Sequence, residues 1–368
     1  MSQAASGTMN VALDRPLLFT WLVVLAFGLV MVASASAAME RDYFPRHGAY
    51  LAIALLAFLV VLAIPLAVWR RCRHLAWIAA VALCAAVFVP GLGLEHNGAT
   101  RWIDLGVATL QPSEPARLLL LVYLAGFLAR HDEALKDNMR VLIGPLLVIG
   151  AILALLVAEP DIGSMVVLGG TAGALLFLAG MRLRYVVPLV IVAAALFTVL
   201  ALAEPYRLQR LTSFTDPWAT PYTSGYQLIQ ALIAFGRGEL FGLGLGAGIQ
   251  KLDYLPEAHN DFIFAVIAEE LGLLGALVLL ALLGFLVYRI LAAGRRLLDG
   301  GEKFGGYLCY GAGLVLGLQA LINLGVTSGI LPTKGLTLPF VSYGGNSLIV
   351  CCALIGLVCR AQLEEAKA

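Results

Sequence analysis

"DFIFAVIAEELGLLGALVLLALLGFLVYRI", Asp261–Ile290, decides the fold. From Phe262 to Val287 only Glu269 and Glu270 carry charge. A membrane span needs about 20 mostly apolar residues, so 262–288 reads as a span. Three ionisable residues, Glu257, His259 and Asp261, precede it directly. The chain therefore places reactive side chains where water meets lipid.

The rest of the chain has the same character. Of 368 residues, 61% are hydrophobic and 13% charged, with a mean hydropathy of +0.92. Soluble domains are about half apolar and about a quarter charged. A net charge of +1 gives no electrostatic case for nucleic acid. The first apolar run follows a leader containing Asp14 and Arg15 and is long enough to span, so it reads as a helix and not a cleaved signal. Cys72, Cys84, Cys309, Cys351, Cys352 and Cys359 lie mostly in apolar runs and read as packing residues.

Ten spans are expected: 17–38, 48–69, 75–93, 114–130, 141–158, 163–181, 184–203, 262–288, 305–328 and 342–360. With both termini in the cytoplasm, fifteen of the 24 Lys and Arg fall on the inner side. The outer side then holds the long loops 94–113, 204–261 and 329–341, and loops are where function concentrates. The expected class is all-α: one polytopic transmembrane domain over 1–368, with tails 1–16 and 361–368. Its largest outer loop, 204–261, joins the seventh and eighth spans.

Four outer stretches carry chemistry. "NGATRWIDLGVATLQPSEPARLLL" (Asn97–Leu120) offers Arg101 and Trp102, with Ser113 as a helix cap. Glu114 and Arg117 follow, three apart on one helix face. Trp102 also suits an interface anchor, but an ion pair inside the membrane is costly unless it faces a wet cavity. "EPDIGS" (Glu159–Ser164) is a polar break with Asp161 near a helix start. Loop 204–261 brings Arg207 and Arg210 on one face. Its glycine-rich stretch reads as re-entrant backbone and not as a nucleotide fingerprint. Pro256 predicts a helix start, which would put Glu257 and Asp261 on one face four residues apart. Glu269 and Glu270 read mainly as groups that hydrogen-bond a neighbouring helix and hold the bundle. "GILPTKGLTLPFVSYGGNS" (Gly329–Ser347) breaks any helix and presents Lys334, Ser342 and Tyr343.

On the outer face of a membrane, a transferase needs a donor already activated in the lipid, such as a polyprenyl-diphosphate sugar. Transfer to a sugar hydroxyl needs a carboxylate base. It also needs positive charge on the leaving diphosphate. Asp261 is the candidate base. Arg101, Arg117, Arg207, Arg210 and Lys334 are candidate cations. The residues leave open whether a divalent ion, Mg or Mn, also takes part. A lipid flippase and a docking scaffold stay open at this level. A flippase would spread charge through the whole bundle depth, whereas here charge gathers in the outer half.

At "NGATRWIDLG…QPSE", "EPDIGS", "LPEAHNDFIFAVIAEELGLLG" and "GILPTKGLTLPFVSYGGNSL" the chain resembles the SEDS family (shape, elongation, division and sporulation) over nearly its whole length. Its wording is nearer the division branch than the elongation branch. The resemblance implies a peptidoglycan glycosyltransferase that polymerises lipid II by inversion during septal cell-wall synthesis at the inner membrane. It places the essential loop carboxylate on Asp261, the conserved Trp on Trp102 and the cavity pair on Glu114 and Arg117. Asp161, Glu257 and His259 fall inside the matching motifs. Implied partners are a class B penicillin-binding protein (the transpeptidase FtsI), the FtsQ–FtsL–FtsB complex and FtsN. Three positions depart from the family pattern: Arg117 where Lys is usual, Asn260 where Thr is usual and Asn346 where Ser is usual.

Overall fold

The computed structural model describes residues 13–37, 43–96, 99–106, 108–135, 139–202, 213–332 and 335–366. Arg207, Arg210 and Lys334 lie outside them. The described chain is overwhelmingly helical. Helices α1 (Arg15–Ser36), α2 (Phe44–Ala63), α3 (Leu66–Arg71) and α4 (Arg73–Ala86) come first. Strands β1 (Gly93–His96), β2 (Ala99–Asp104) and β3 (Thr109–Leu110) follow. Then come α5 (Ser113–Leu135), α6 (Ile143–Ala158), α7 (Ile162–Leu178), α8 (Leu183–Leu202), α9 (Tyr226–Gly238), α10 (Ile263–Asp299), α11 (Lys303–Thr327) and α12 (Gly345–Glu365).

Among the described residues, six helices are long and apolar enough to cross a membrane: 15–36, 44–63, 140–158, 263–299, 303–327 and 345–365. Shorter apolar helices cover 73–86, 162–178 and 183–195. The spans are not equivalent. Protein covers 78% of the apolar window of α12 but only 22% of that of α2. Thus α12 is a hub and α2 a lipid-facing wall packed along it. Helix α11 packs on α10, α5, α7 and α12 and forms the other hub.

Two stretches read as outer loop carry structure. The three strands form an antiparallel sheet in the order β1-β2-β3, with Leu94 opposite Trp102 and Ile103 opposite Leu110. Helix α9 lies inside the 204–261 loop. It buries Leu228, Ile229, Ala231, Ala234 and Gly238 at helical spacing against α10. Gly238 permits that approach, because any Cβ there would collide with the Ala268 carbonyl.

Helix α10 is bent at Gly272, whose φ is +67, a region that favours glycine. The glycine-rich loop fills the bend. The Leu243 and Gly244 N–H groups donate to the Glu269 and Glu270 carbonyls at 3.0 and 2.9 Å. A bend inside a membrane is tolerated when protein satisfies the freed backbone in this way. At the far end of α10, Arg289 holds Asp14 at 2.7 Å. Asp14 itself caps α1 by accepting from the Leu17 N–H at 3.1 Å.

Candidate active site

Asp261 sits half-buried at the last turn before α10. The expected helical face shared with Glu257 does not form. Residues 250–262 make successive turns, Glu257 has φ +57 and the helix begins at Ile263. The reason is competition for carbonyls. Tyr343 N–H donates to the His259 carbonyl at 2.9 Å. Ser342 Oγ donates to the Asn260 carbonyl at 2.7 Å, and Asn323 Nδ2 to the Asp261 carbonyl at 2.9 Å. These bonds hold the turn in a non-helical path, against the 335–344 loop and α11. Ser342 Oγ also accepts from the Leu338 N–H at 2.8 Å, so it links the two loops.

The Asp261 carboxylate lies against Gly335, where an added Cβ would come within 2.8 Å of Oδ2. His259 is buried and stacks on Tyr43 with ring centroids 4.4 Å apart. Burial pushes its pKa down, with the Glu257 charge opposing, so the ring is neutral near pH 7. Glu257 is exposed and accepts from Asn260 Nδ2 at 3.3 Å.

Beneath this turn lies a buried polar network. Arg117 pairs with Glu114 at 3.1 Å. It also donates to Gln319 Oε1 at 3.1 Å and Ser164 Oγ at 2.8 Å. Ser164 donates to Ser113, which donates to Asp161 Oδ2 at 3.0 Å. Asp161 Oδ1 caps α7 by accepting from the Ser164 N–H at 3.1 Å. Gln319 Nε2 reaches Thr337 and Ser347. Gln319 and Asn323 are one turn apart on α11, so one helix face joins the ion pair to the Asp261 turn. Neither residue was singled out from sequence. The signal was present: Gln319, Asn323 and Thr327 recur every four residues in an apolar run.

Arg117 uses its planar fork to meet three partners at once. Lysine offers a point charge without that fork. Arg117→Lys is expected to keep the Glu114 pair, lose contact with Ser164 or Gln319, and destabilise the fold by about 1–2 kcal/mol. Thermal unfolding in detergent would measure it, and an unchanged midpoint would refute the role of the fork.

Arg101 faces a different partner than expected. Its Nε and Nη2 donate to the Glu159 and Pro160 carbonyls at 3.2 and 2.7 Å, so it clamps β2 onto the α6–α7 turn. Trp102 is half-buried on β2 beside it. Glu159 is 1% exposed, and neither carboxylate oxygen has a hydrogen-bond partner among the described residues. Burial, then the Asp161 charge, raises its pKa from 4.5 to about 8, with Arg101 opposing. The folded state thus holds this proton more tightly than the unfolded one. Its stabilising contribution is full below pH 4.5, declines as pH rises and is gone above about 8. Glu159→Gln should flatten that decline. Unfolding temperatures of the two proteins, measured across this window, should converge at acid pH and part at alkaline pH, with wild type the lower.

Glu269 and Glu270 hold structure together. Glu269 accepts from the Ile249 and Gln250 N–H groups, both at 3.1 Å, and meets Arg237 of α9 at 3.2 Å. Glu270 meets Lys251 at 2.6 Å, Ser34 of α1 at 2.7 Å and the Gly246 N–H at 2.9 Å. Lys251, a cation unremarked in the sequence, is 3% exposed. Asn346 donates to the Thr109 carbonyl at 2.9 Å, tying α12 to β3. Among the described residues no three His, Cys, Asp or Glu side chains gather to hold a metal ion.

Comparison with known proteins fits this architecture. A curated relative in Coxiella burnetii, named probable peptidoglycan glycosyltransferase FtsW, is 47% identical over 97% of this chain and 98% of its own. One of the same name in Thioalkalivibrio sulfidiphilus is 47% identical over 96% and 90%. A solved chain from work on polymerisation and crosslinking by a peptidoglycan synthase complex aligns with TM-score 0.79 and 29% identity, covering 96% of this chain and 98% of that one. The rod-shape-determining protein RodA of Thermus thermophilus aligns at 0.70 and 29%, with the same coverage. Residues 14–367 match the family described as cell cycle protein, that of FtsW, RodA and SpoVE, and the chain belongs to it.

Proposed function

We propose that this chain is a peptidoglycan glycosyltransferase that polymerises lipid II on the outer face of the bacterial inner membrane. The names of its relatives support the activity. The observation that carries the site is the Asp261 turn, whose backbone is fixed by Ser342, Tyr343 and Asn323 while its carboxylate stays half-buried beside Gly335. A base must be held still to act.

In this reading Asp261 takes the proton from the acceptor sugar hydroxyl. The freed oxygen attacks the anomeric carbon of the donor with inversion. The bond from that carbon to the diphosphate oxygen breaks, and the lipid diphosphate leaves with the electron pair. Arg117, Arg207, Arg210 and Lys334 are the proposed cations for substrate phosphate, with Trp102, Glu114, Asp161, His259 and Ser342 shaping the site. Arg101 and Glu257 belong to its rim.

The full topology we propose has ten spans, both termini in the cytoplasm and the 204–261 loop outside. The chain would work at the septum with a class B penicillin-binding protein, the transpeptidase FtsI, and with FtsQ–FtsL–FtsB and FtsN. The synthase-complex neighbour favours the transpeptidase partner. The test is polymerisation of purified lipid II by the chain copurified with that transpeptidase, its crosslinking site blocked. Glycan strands are expected. No strands, with labelled lipid II crossing vesicle membranes, would replace this reading by a flippase.

A further inference from the structure

A cleft of about 720 Å³ opens at the end of the bundle away from Asp261. Arg70, Arg71, Arg73, His74, Arg130 and Lys303 line it, with Glu302 the one carboxylate among the described lining residues. Arg130 lies seventeen residues along α5 from Ser113, about 25 Å at 1.5 Å per residue, so this cleft and the outer network sit at opposite membrane surfaces. The cations come from three separate connections: α3 into α4, the end of α5, and the α10–α11 turn.

A bias of basic residues towards one side requires no convergence. Here the side chains enclose one space, where Asp132 and Glu133 act on Lys303 and Glu302 lines the wall. Lys303 meets Asp132 at 2.8 Å. Arg70, Arg71, Arg73 and Arg130 pair with no carboxylate among the described residues. Arg73 is seated: its stem packs on Gly126, where an added Cβ would come 2.7 Å from Cδ, and Nη1 donates to the Arg70 carbonyl at 3.4 Å. The wall leads to lipid. Leu75 and Ile78, three apart on one face of α4, are 64% and 49% exposed.

We propose that this cleft binds the phosphodiester headgroup of an anionic membrane phospholipid. The arginines take the phosphate oxygens in charge-assisted hydrogen bonds. The acyl chains run along Leu75 and Ile78. Basic pockets between helices at a membrane surface recognise lipid headgroups in this way. The site depends on the membrane placement of the chain and not on its proposed transferase activity.

The test uses the full chain in detergent, titrated with phosphatidylglycerol, phosphatidylcholine or inorganic phosphate and read by native mass spectrometry. Wild type should retain phosphatidylglycerol in preference to phosphatidylcholine. Arg71→Gln, on an exposed side chain, should weaken retention about fivefold, and the triple Arg71→Gln, Arg73→Gln, Arg130→Gln variant about 100-fold. Lysine at the same three positions should restore most of the binding. Equal retention by wild type and both glutamine variants would overturn the proposal. So would equal retention of the two lipids, or binding of inorganic phosphate with no preference for anionic lipid.

Discussion

Asp261→Asn is expected to abolish glycan polymerisation. General-base catalysis contributes about 10²–10⁴ in rate, and the amide removes the base while keeping the shape. The anchors of this turn act on main-chain carbonyls: Asn323 on Asp261, Ser342 on Asn260 and Tyr343 N–H on His259. None requires the Asp261 carboxylate, so the variant should fold and still bind lipid II. Turnover should fall by at least about 100-fold with little change in lipid II affinity. Polymer from the folded variant at the wild-type rate would remove Asp261 from the chemistry. A parallel loss of lipid II binding would make it a binding residue.

Lys251→Met should cost about as much stability as any single change in the chain. It leaves Glu270, fully buried at 0% exposure, with Ser34 and the Gly246 N–H but no countercharge. Breaking one side of a buried pair costs about 3–5 kcal/mol, because the remaining charge is stranded. The damage should spread: Glu270 joins α1, the glycine-rich loop and the bend in α10. Adding Glu270→Gln to Lys251→Met should recover most of the loss, since the stranded charge is then gone. Denaturation midpoints of both single variants and the double would decide. A loss below about 1 kcal/mol in Lys251→Met, or no recovery in the double, would refute the buried pair.

Legibility differed between elements for identifiable reasons. Apolar runs of span length announce themselves, because lipid rewards composition over roughly 20 residues whatever their order. The sheet at 93–110 and helix α9 were missed because short elements at a surface leave weak periodic signals. Glu257 illustrates how the local rule failed. Its i, i+4 spacing to Asp261 is a helical pattern, and Pro256 is a good helix starter. Yet residues 323, 342 and 343, far along the chain, take the carbonyls or fix the turn that a helix would need. Arg101 was read as a candidate cation for the diphosphate because a side chain's partner is invisible in sequence. Its partners are two main-chain carbonyls nearly sixty residues away.

What the sequence determined by itself is the membrane-embedded helical class and the Glu114–Arg117 pair, whose spacing of three already puts both on one helix face. These follow from composition and from contacts a few residues long. Only the tertiary structure decided which charges are spent on holding the bundle. Glu269, Glu270, Lys251 and Arg101 went to that use, through contacts with distant helices and loops. The bend at Gly272 and the path of the Asp261 turn were decided there too. Each depends on a buried polar group finding its partner, and inside a membrane that partner must be another part of the protein.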